Sequence, residues 1–172
     1  MNYIFSAIFL YFFLGFLLYI FQRRIVFNKS GHPGTPKDYN LENTEEVYIK
    51  TEDNLELLSW YHKGNNSLPL LVYFHGNSFH IGDRANRIQR YIEKNWSVLL
   101  VSWRGFGGNE GNPTEKNLYK DAEAVLKWIK NNTEFEFKEL VVYGESLGSG
   151  AAVEIGTKYE FLSIVLEAPF TS

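Results

Sequence analysis

The residues best placed to do chemistry are Gly144-Glu145-Ser146-Leu147-Gly148, a match to the pattern G-x-S-x-G. That pattern presents a nucleophilic serine when a strand leads into it and a helix leaves it, because the sharp turn lifts the hydroxyl above the strand ends. Here the strand-forming run Leu140-Val141-Val142-Tyr143 comes before, and Gly150-Ala151-Ala152-Val153 follows as a small-residue helix. The flanking glycines remove side chains that would collide with neighbouring backbone. The ordinary alternative is a strand-to-helix turn whose serine only caps the helix. A second segment, His75-Gly76-Asn77-Ser78, closes an earlier apolar run. In acyl transfer the loop after such a strand donates one backbone N–H to the oxyanion, and the residue after the nucleophile donates the other. Ser146 is thus the candidate nucleophile, and the N–H groups of Asn77 and Leu147 are the candidate oxyanion donors, with Ser78 a near alternative to Asn77. His75, at a strand end, reads as a structural histidine that orders its loop rather than as a catalytic base.

Other polar clusters point elsewhere. Arg104-Gly-Phe-Gly-Gly-Asn-Glu-Gly111 is glycine-rich but lacks the Lys-Ser/Thr ending of a phosphate loop and the spacing G-x-G-x-x-G. It reads as a sharp loop after a strand. With no cysteine there is neither a thiol nucleophile nor a disulfide framework. No metal or cofactor is implied, because acyl transfer of this type needs none and no ligand cluster is visible.

The elements that must position these residues follow from periodicity. Val47–Thr51 and Leu55–Tyr61 read as two strands around the turn Glu52-Asp53-Asn54. From residue 70 strands alternate with helices. Leu70–His75 is a continuous apolar run, as for a strand buried on both faces. Arg84–Asn95 fits a helix with Ile88, Tyr91 and Ile92 on one face and Asp83 as N-cap. Val98–Trp103 is the next strand. Thr114–Asn131 is a helix striped by Leu118, Ala122, Val125, Leu126 and Ile129, with Thr114 as N-cap. Leu140–Tyr143, a helix over Leu147–Lys158 and a strand over Ser163–Glu167 complete the series. A hairpin followed by strand–helix units predicts an α/β domain with a mostly parallel sheet and helices on both faces.

Composition agrees with a packed domain. Of 172 residues, 45% are hydrophobic, 22% charged and 17% aromatic, which excludes a disordered tail. The first 28 residues hold only two charges, Arg23 and Arg24, so the remainder has 15 basic and 20 acidic residues. A mildly acidic body argues against nucleic acid as a partner.

Tyr3–Phe21 contains nineteen residues without a charge and is apolar on every side. At ~1.5 Å per residue it reaches roughly 28 Å, close to a bilayer's hydrocarbon thickness. A cleaved signal would need a basic residue before the run and small residues at a cleavage site, and neither is present. Residues 3–21 are therefore read as a single-pass anchor with the lipid bilayer as partner. Arg23, Arg24 and Lys29 follow it, which by the positive-inside rule places the body in the cytoplasm. Residues 22–43 form a linker in which Gly31, Pro33, Gly34 and Pro36 disfavour regular structure.

The pieces "LVYFHGN", "WRGFGGNEGNPTE", "VVYGESLGSG" and "LEAPFTS" stand in the order found in α/β-hydrolases. The chain resembles most the membrane-anchored branch grouped with the serine aminopeptidases, a likeness that includes "QRRIVF" after the anchor and runs from about residue 11 onward. Two departures, Ser78-Phe79-His80 in the oxyanion loop and Asn109 where serine is commoner, would narrow the mouth of the site. The resemblance implies that residues 44–172 are the N-terminal part of an α/β-hydrolase sheet, ending after its sixth strand. It also implies a triad in the chain order nucleophile, acid, histidine.

All four histidines, His32, His62, His75 and His80, precede Ser146. The triad acid and histidine are then expected from loops after two later strands that this chain does not contain. Glu167 ends the last strand and is read as structural. Losing the histidine of such a triad costs on the order of 10⁶ in turnover. The leading expectation is a membrane-tethered serine hydrolase acting on a small acyl substrate. The alternatives are an inactive truncated remnant, or one half of a split hydrolase whose other chain pairs with the exposed edge strand Ser163–Glu167.

Overall fold

The computed structural model describes residues 2–29 and 31–170. Ser30, within the expected linker, and Thr171 and Ser172, at the end of the expected domain, lie outside the described residues, as do the side chains of the basic flank Arg23, Arg24 and Lys29.

The chain opens with α1 (Asn2–Val26). Its stretch Tyr3–Gln22 has a mean hydropathy of 2.4 and is long and apolar enough to cross a membrane. The short strand β1 (Asn28–Lys29) comes next, then a 3-10 turn over Pro36–Tyr39. β2 (Thr44–Lys50) and β3 (Glu56–His62) form an antiparallel pair. β4 (Leu70–Phe74), the two-residue β5 (Ser78–Phe79), α2 (Ala85–Ile92), β6 (Ser97–Val101), α3 (Glu115–Asn132), β7 (Leu140–Glu145), α4 (Leu147–Gly156) and β8 (Ser163–Glu167) follow.

Six strands make one sheet in the order β2-β3-β6-β4-β7-β8. β3 pairs antiparallel with β6, whereas β6, β4, β7 and β8 run parallel. Period-2 alternation assigns the faces of the three central strands. Leu70, Val72 and Phe74 of β4, Leu99 and Val101 of β6, and Leu140 and Val142 of β7 pack with the apolar stripes of α3 and α4. Leu71 and Tyr73, Val98 and Leu100 point the other way, onto Ala85 and Ile88 of α2. Burial on both faces explains why these strands read as continuous apolar runs.

Local signals hold with instructive exceptions. Thr114 caps α3, its hydroxyl accepting the Asn117 N–H at 3.2 Å. Asp83 does not cap α2. It lies inside a 3-10 turn, Ile81–Arg84, where its carboxylate accepts the His80 N–H at 3.2 Å, and α2 begins two residues later. The segment expected as a linker lacks long regular structure but lies packed on the domain. Phe27 rests against the main core, Pro33, Pro36 and Leu41 are buried, and Tyr39 donates to the Pro33 carbonyl at 2.8 Å.

The glycine-rich loop after β6 is held by ions. Arg104 is buried, and its backbone N–H and guanidinium both engage the buried Asp121 of α3, while Nη1 reaches Asp53 at 2.6 Å. Asn109 is structural. Its carbonyl accepts the Leu58 N–H, and its amide donates to the Ser102 and Trp103 carbonyls, so it joins β3 to this loop instead of narrowing a mouth. Replacing Asp121 by Asn keeps the volume but leaves Arg104 short of its buried counter-charge. The expected cost is about 3 kcal/mol of stability, read as a shift in denaturant midpoint relative to the wild type.

Candidate active site

Strand order assembles the site. β4 is followed in sequence by β6 on one side, and the chain then crosses back to place β7 on the other, so the order reverses between β4 and β7. Such a reversal opens a crevice at the carboxyl ends of the strands. The register Phe74↔Gly144 sets the loop that leaves β4 beside the turn that leaves β7.

In that turn Ser146 has φ 47° and ψ −110°, a backbone conformation that a side-chain-bearing residue adopts only when its surroundings impose it. Three contacts impose it. The Ser146 N–H donates to the Glu167 carbonyl at 2.8 Å. A Cβ on Gly144 would sit 2.7 Å from the Gly148 carbonyl oxygen and the Ser149 Cα, and a Cβ on Gly148 would collide with the Phe74 carbonyl. The two glycines thus let α4 close onto the ends of β4 and β7. Leu147 opens α4, so its N–H belongs to the first helical turn, where no intrahelical acceptor exists. From the β4 side, Gly76 approaches so closely that a Cβ there would be 3.4 Å from Ser146 Cβ. Asn77 follows directly. The fold therefore brings Ser146, Leu147 and the 75–78 loop together.

It does not bring a histidine to the serine. His75 is fully buried, with Nδ1 donating to the Gly76 carbonyl at 2.6 Å and Nε2 accepting the Trp103 N–H at 3.5 Å. Burial, reinforced by the nearby Arg84 charge, pushes its pKa down to about 4, so the ring is neutral and structural. His62 pairs with Thr44, His80 lies 3.0 Å from Asp83, and His32 accepts the Gly34 N–H. Among the described residues the Ser146 hydroxyl has no hydrogen-bond partner.

A polar cluster beneath the site had no reading in the sequence. Arg84 clamps Glu145, the residue before the serine, through Nε at 3.0 Å and Nη2 at 2.7 Å, and its Nη1 donates to the Ser78 carbonyl at 2.7 Å. One guanidinium therefore ties the elbow to the loop carrying Asn77. Tyr73 adds a hydroxyl to Glu145 at 3.0 Å and stacks on Tyr143 with centroids 4.6 Å apart. Burial opposes a charge on Glu145, but the Arg84 hydrogen bonds outweigh it and hold the carboxyl below its usual range. One turn along α2, Arg87 donates to Glu167 at 2.6 Å, and the Tyr143 hydroxyl joins it at 2.7 Å. Burial and that carboxylate push Tyr143 up to about 12. Glu167 is thus occupied as an ion-pair partner. The available signal was faint: two arginines three apart at the start of α2, one just before it and one within it, and tyrosines paired across β4 and β7.

The model of the family described as "Serine aminopeptidase, S33" matches residues 66–172. The chain belongs to this family of α/β-hydrolases. It is 31% identical to a yeast protein, the membrane protein YNL320W of Saccharomyces cerevisiae, over 90% of this chain and 57% of the relative. It is 28% identical to the zebrafish (Danio rerio) lysophosphatidylserine lipase ABHD12, over 80% of this chain and 42% of the relative. Among solved structures, the Pyrococcus furiosus esterase Pf2001 superposes with a TM-score of 0.68 at 26% identity, over 82% of this chain and 56% of that one. The chain spans little more than half the length of the first curated relatives it matches.

Two outcomes follow. Arg84→Met should cost about 3 kcal/mol by stranding the partly buried Glu145 carboxylate, and Arg84→Lys should restore only part of it, because an ammonium cannot reproduce the bidentate fork. Denaturation of the detergent-solubilised protein measures both. His75 has a folded pKa below its unfolded value of about 6.5, so the unfolded state binds more protons between those values. Its contribution is complete above pH 6.5 and is lost as pH falls toward 4. Stability should drop by about 2 kcal/mol between pH 7 and 5, and a His75→Gln variant should lack that part of the slope.

Proposed function

We propose that this chain is the nucleophile-bearing part of a membrane-anchored serine acyl hydrolase. Ser146 Oγ adds to the acyl carbonyl, and the oxygen that becomes negative is met by the N–H groups of Asn77 and Leu147. Collapse expels the alcohol or amine, which takes the proton that Ser146 gave up. Water then releases the acid and restores the serine. The histidine that shuttles the proton, and the acid that orients it, belong to segments beyond these 172 residues, or to a second chain that pairs along β8. The length of the relatives supports that reading. So does β8 itself, an edge strand whose Ile164, Val165 and Leu166 remain 38–39% exposed.

The observation that carries the proposal is the backbone of Ser146, held at positive φ between two glycines that no side chain could replace. Ester chemistry is favoured over peptide cleavage by the names of an esterase and a lipase among the similar proteins. Residues 3–22 act as the anchor, a role consistent with their length and hydropathy and with a relative named as a membrane protein.

A fluorophosphonate probe applied to native membranes tests the assignment. We expect one labelled species that disappears in a Ser146→Ala strain while the protein remains present. Absence of Ser146-dependent label on protein shown to be present would leave an inactive remnant as the answer.

A further inference from the structure

The anchor does not join the domain at an arbitrary point. Phe27, the first residue after α1, packs against the main core, and Asn28 and Lys29 then pair in parallel with Ser78 and Phe79. Those two partners continue the loop that contains Asn77. The tether is therefore one strand of a ribbon whose other strand is the proposed oxyanion loop. It also enters at the carboxyl end of β4, the end that carries Ser146. Entry at the opposite end would set the membrane a further strand length away, ~17 Å for five residues.

The ribbon accounts for a second feature. Phe79 has φ 62°, a left-handed conformation costly for an aromatic residue, and the residue is 57% exposed. Pairing with Lys29 holds that backbone, and the exposed residue sits at the junction nearest the anchor, where an aromatic suits the level of lipid headgroups. After β1 the chain stays on the domain. His32 and Pro33 lie against Gly108 and Gly107, and Tyr39 lies against Gly82 at the end of the same loop.

Resting on the roles proposed above for Ser146 and α1, we infer that the substrate is an amphiphilic acyl lipid taken directly from the bilayer surface rather than an ester dissolved in water. The one-residue gap between α1 and β1 holds the mouth at headgroup level, where the carbonyl of such a lipid lies. Attachment to the oxyanion loop fixes that height with respect to the reacting atoms.

The test inserts four, eight or twelve Gly/Ser residues between Val26 and Phe27 of the native membrane-bound protein. Phe27 and β1 stay in place, while the longest insert adds a mean span of roughly 20 Å. Two Ser146-dependent rates are compared: hydrolysis of a fluorogenic long-chain ester embedded in the same bilayer, and of a water-soluble butyrate ester. We expect the first to fall with insert length, by about tenfold at twelve residues as effective concentration drops, and the second to stay within about twofold of its starting value. Unchanged turnover of both esters overturns the inference and leaves the serine hydrolase reading intact. A parallel fall of both, already at four residues, overturns it too, because the loss then lies in the site and not in delivery. If the parent protein hydrolyses neither ester in a Ser146-dependent manner, the inference fails, and the Ser146-dependent fluorophosphonate label decides separately whether the hydrolase reading stands.

Discussion

The parallel pairing of β4 with β7 is the contact on which the rest of the site depends. Its register sets Phe74 opposite Gly144, and everything beyond those residues is built on that adjacency. α4 can start where it does because Gly148 lies against the Phe74 carbonyl with no side chain between them. The 75–78 loop reaches Ser146 because its strand ends one step away. A slip of one residue in this pairing would turn every side chain of β7 to the opposite face. It would bury Tyr143 with Val141 in the α3–α4 core and expose Leu140 and Val142 to α2. The apolar layers on both faces therefore enforce the register on which the turn at Ser146 is built.

Electrostatics secures what packing positions. Two arginines of neighbouring turns, Arg84 and Arg87, hold the carboxylates that precede the serine and end β8. Glu145 and Glu167 stand opposite each other in the β7–β8 register, so like charges lie side by side at the sheet edge. Each needs its own cation: Arg84 comes from the end of the 3-10 turn and Arg87 from the first turn of α2. Arg84 goes further by binding the Ser78 carbonyl, which couples elbow and loop through one planar group. A second buried ion pair, Arg104 with Asp121, does comparable work for the loop after β6. The strained backbone at Ser146 is sustained because strands, helix and ion pairs all converge on it.

The same end of the sheet receives the N-terminal helix through β1. α1 is apolar on every side and unburied along Tyr3–Gln22, so it adds nothing to the core. β1 joins it to the domain by pairing with β5. The apolar N-terminal helix and the 75–78 loop are thus linked through one short ribbon rather than by a free leash.

Several of these features were legible in the residues alone. The G-x-S-x-G turn between a valine-rich strand and a small-residue helix, the alternation of apolar runs, the Thr114 cap and the apolar N-terminus are local, and local sterics and periodicity decide them. The family followed from the same motifs and their order. What the sequence could not display were relations between distant positions. Asp83 caps a 3-10 turn rather than α2, and that turn sets Gly82 against Tyr39, a residue 43 positions earlier. Asn109 joins β3 to the loop after β6, a role that shows only once the fold reveals which backbone groups lack partners. The Arg84–Glu145 clamp spans 61 residues and the β1–β5 ribbon 50, and neither leaves a periodic trace. Composition and period specify which face of an element is apolar; which elements meet, and which charges face each other when they do, is settled only when the sheet closes.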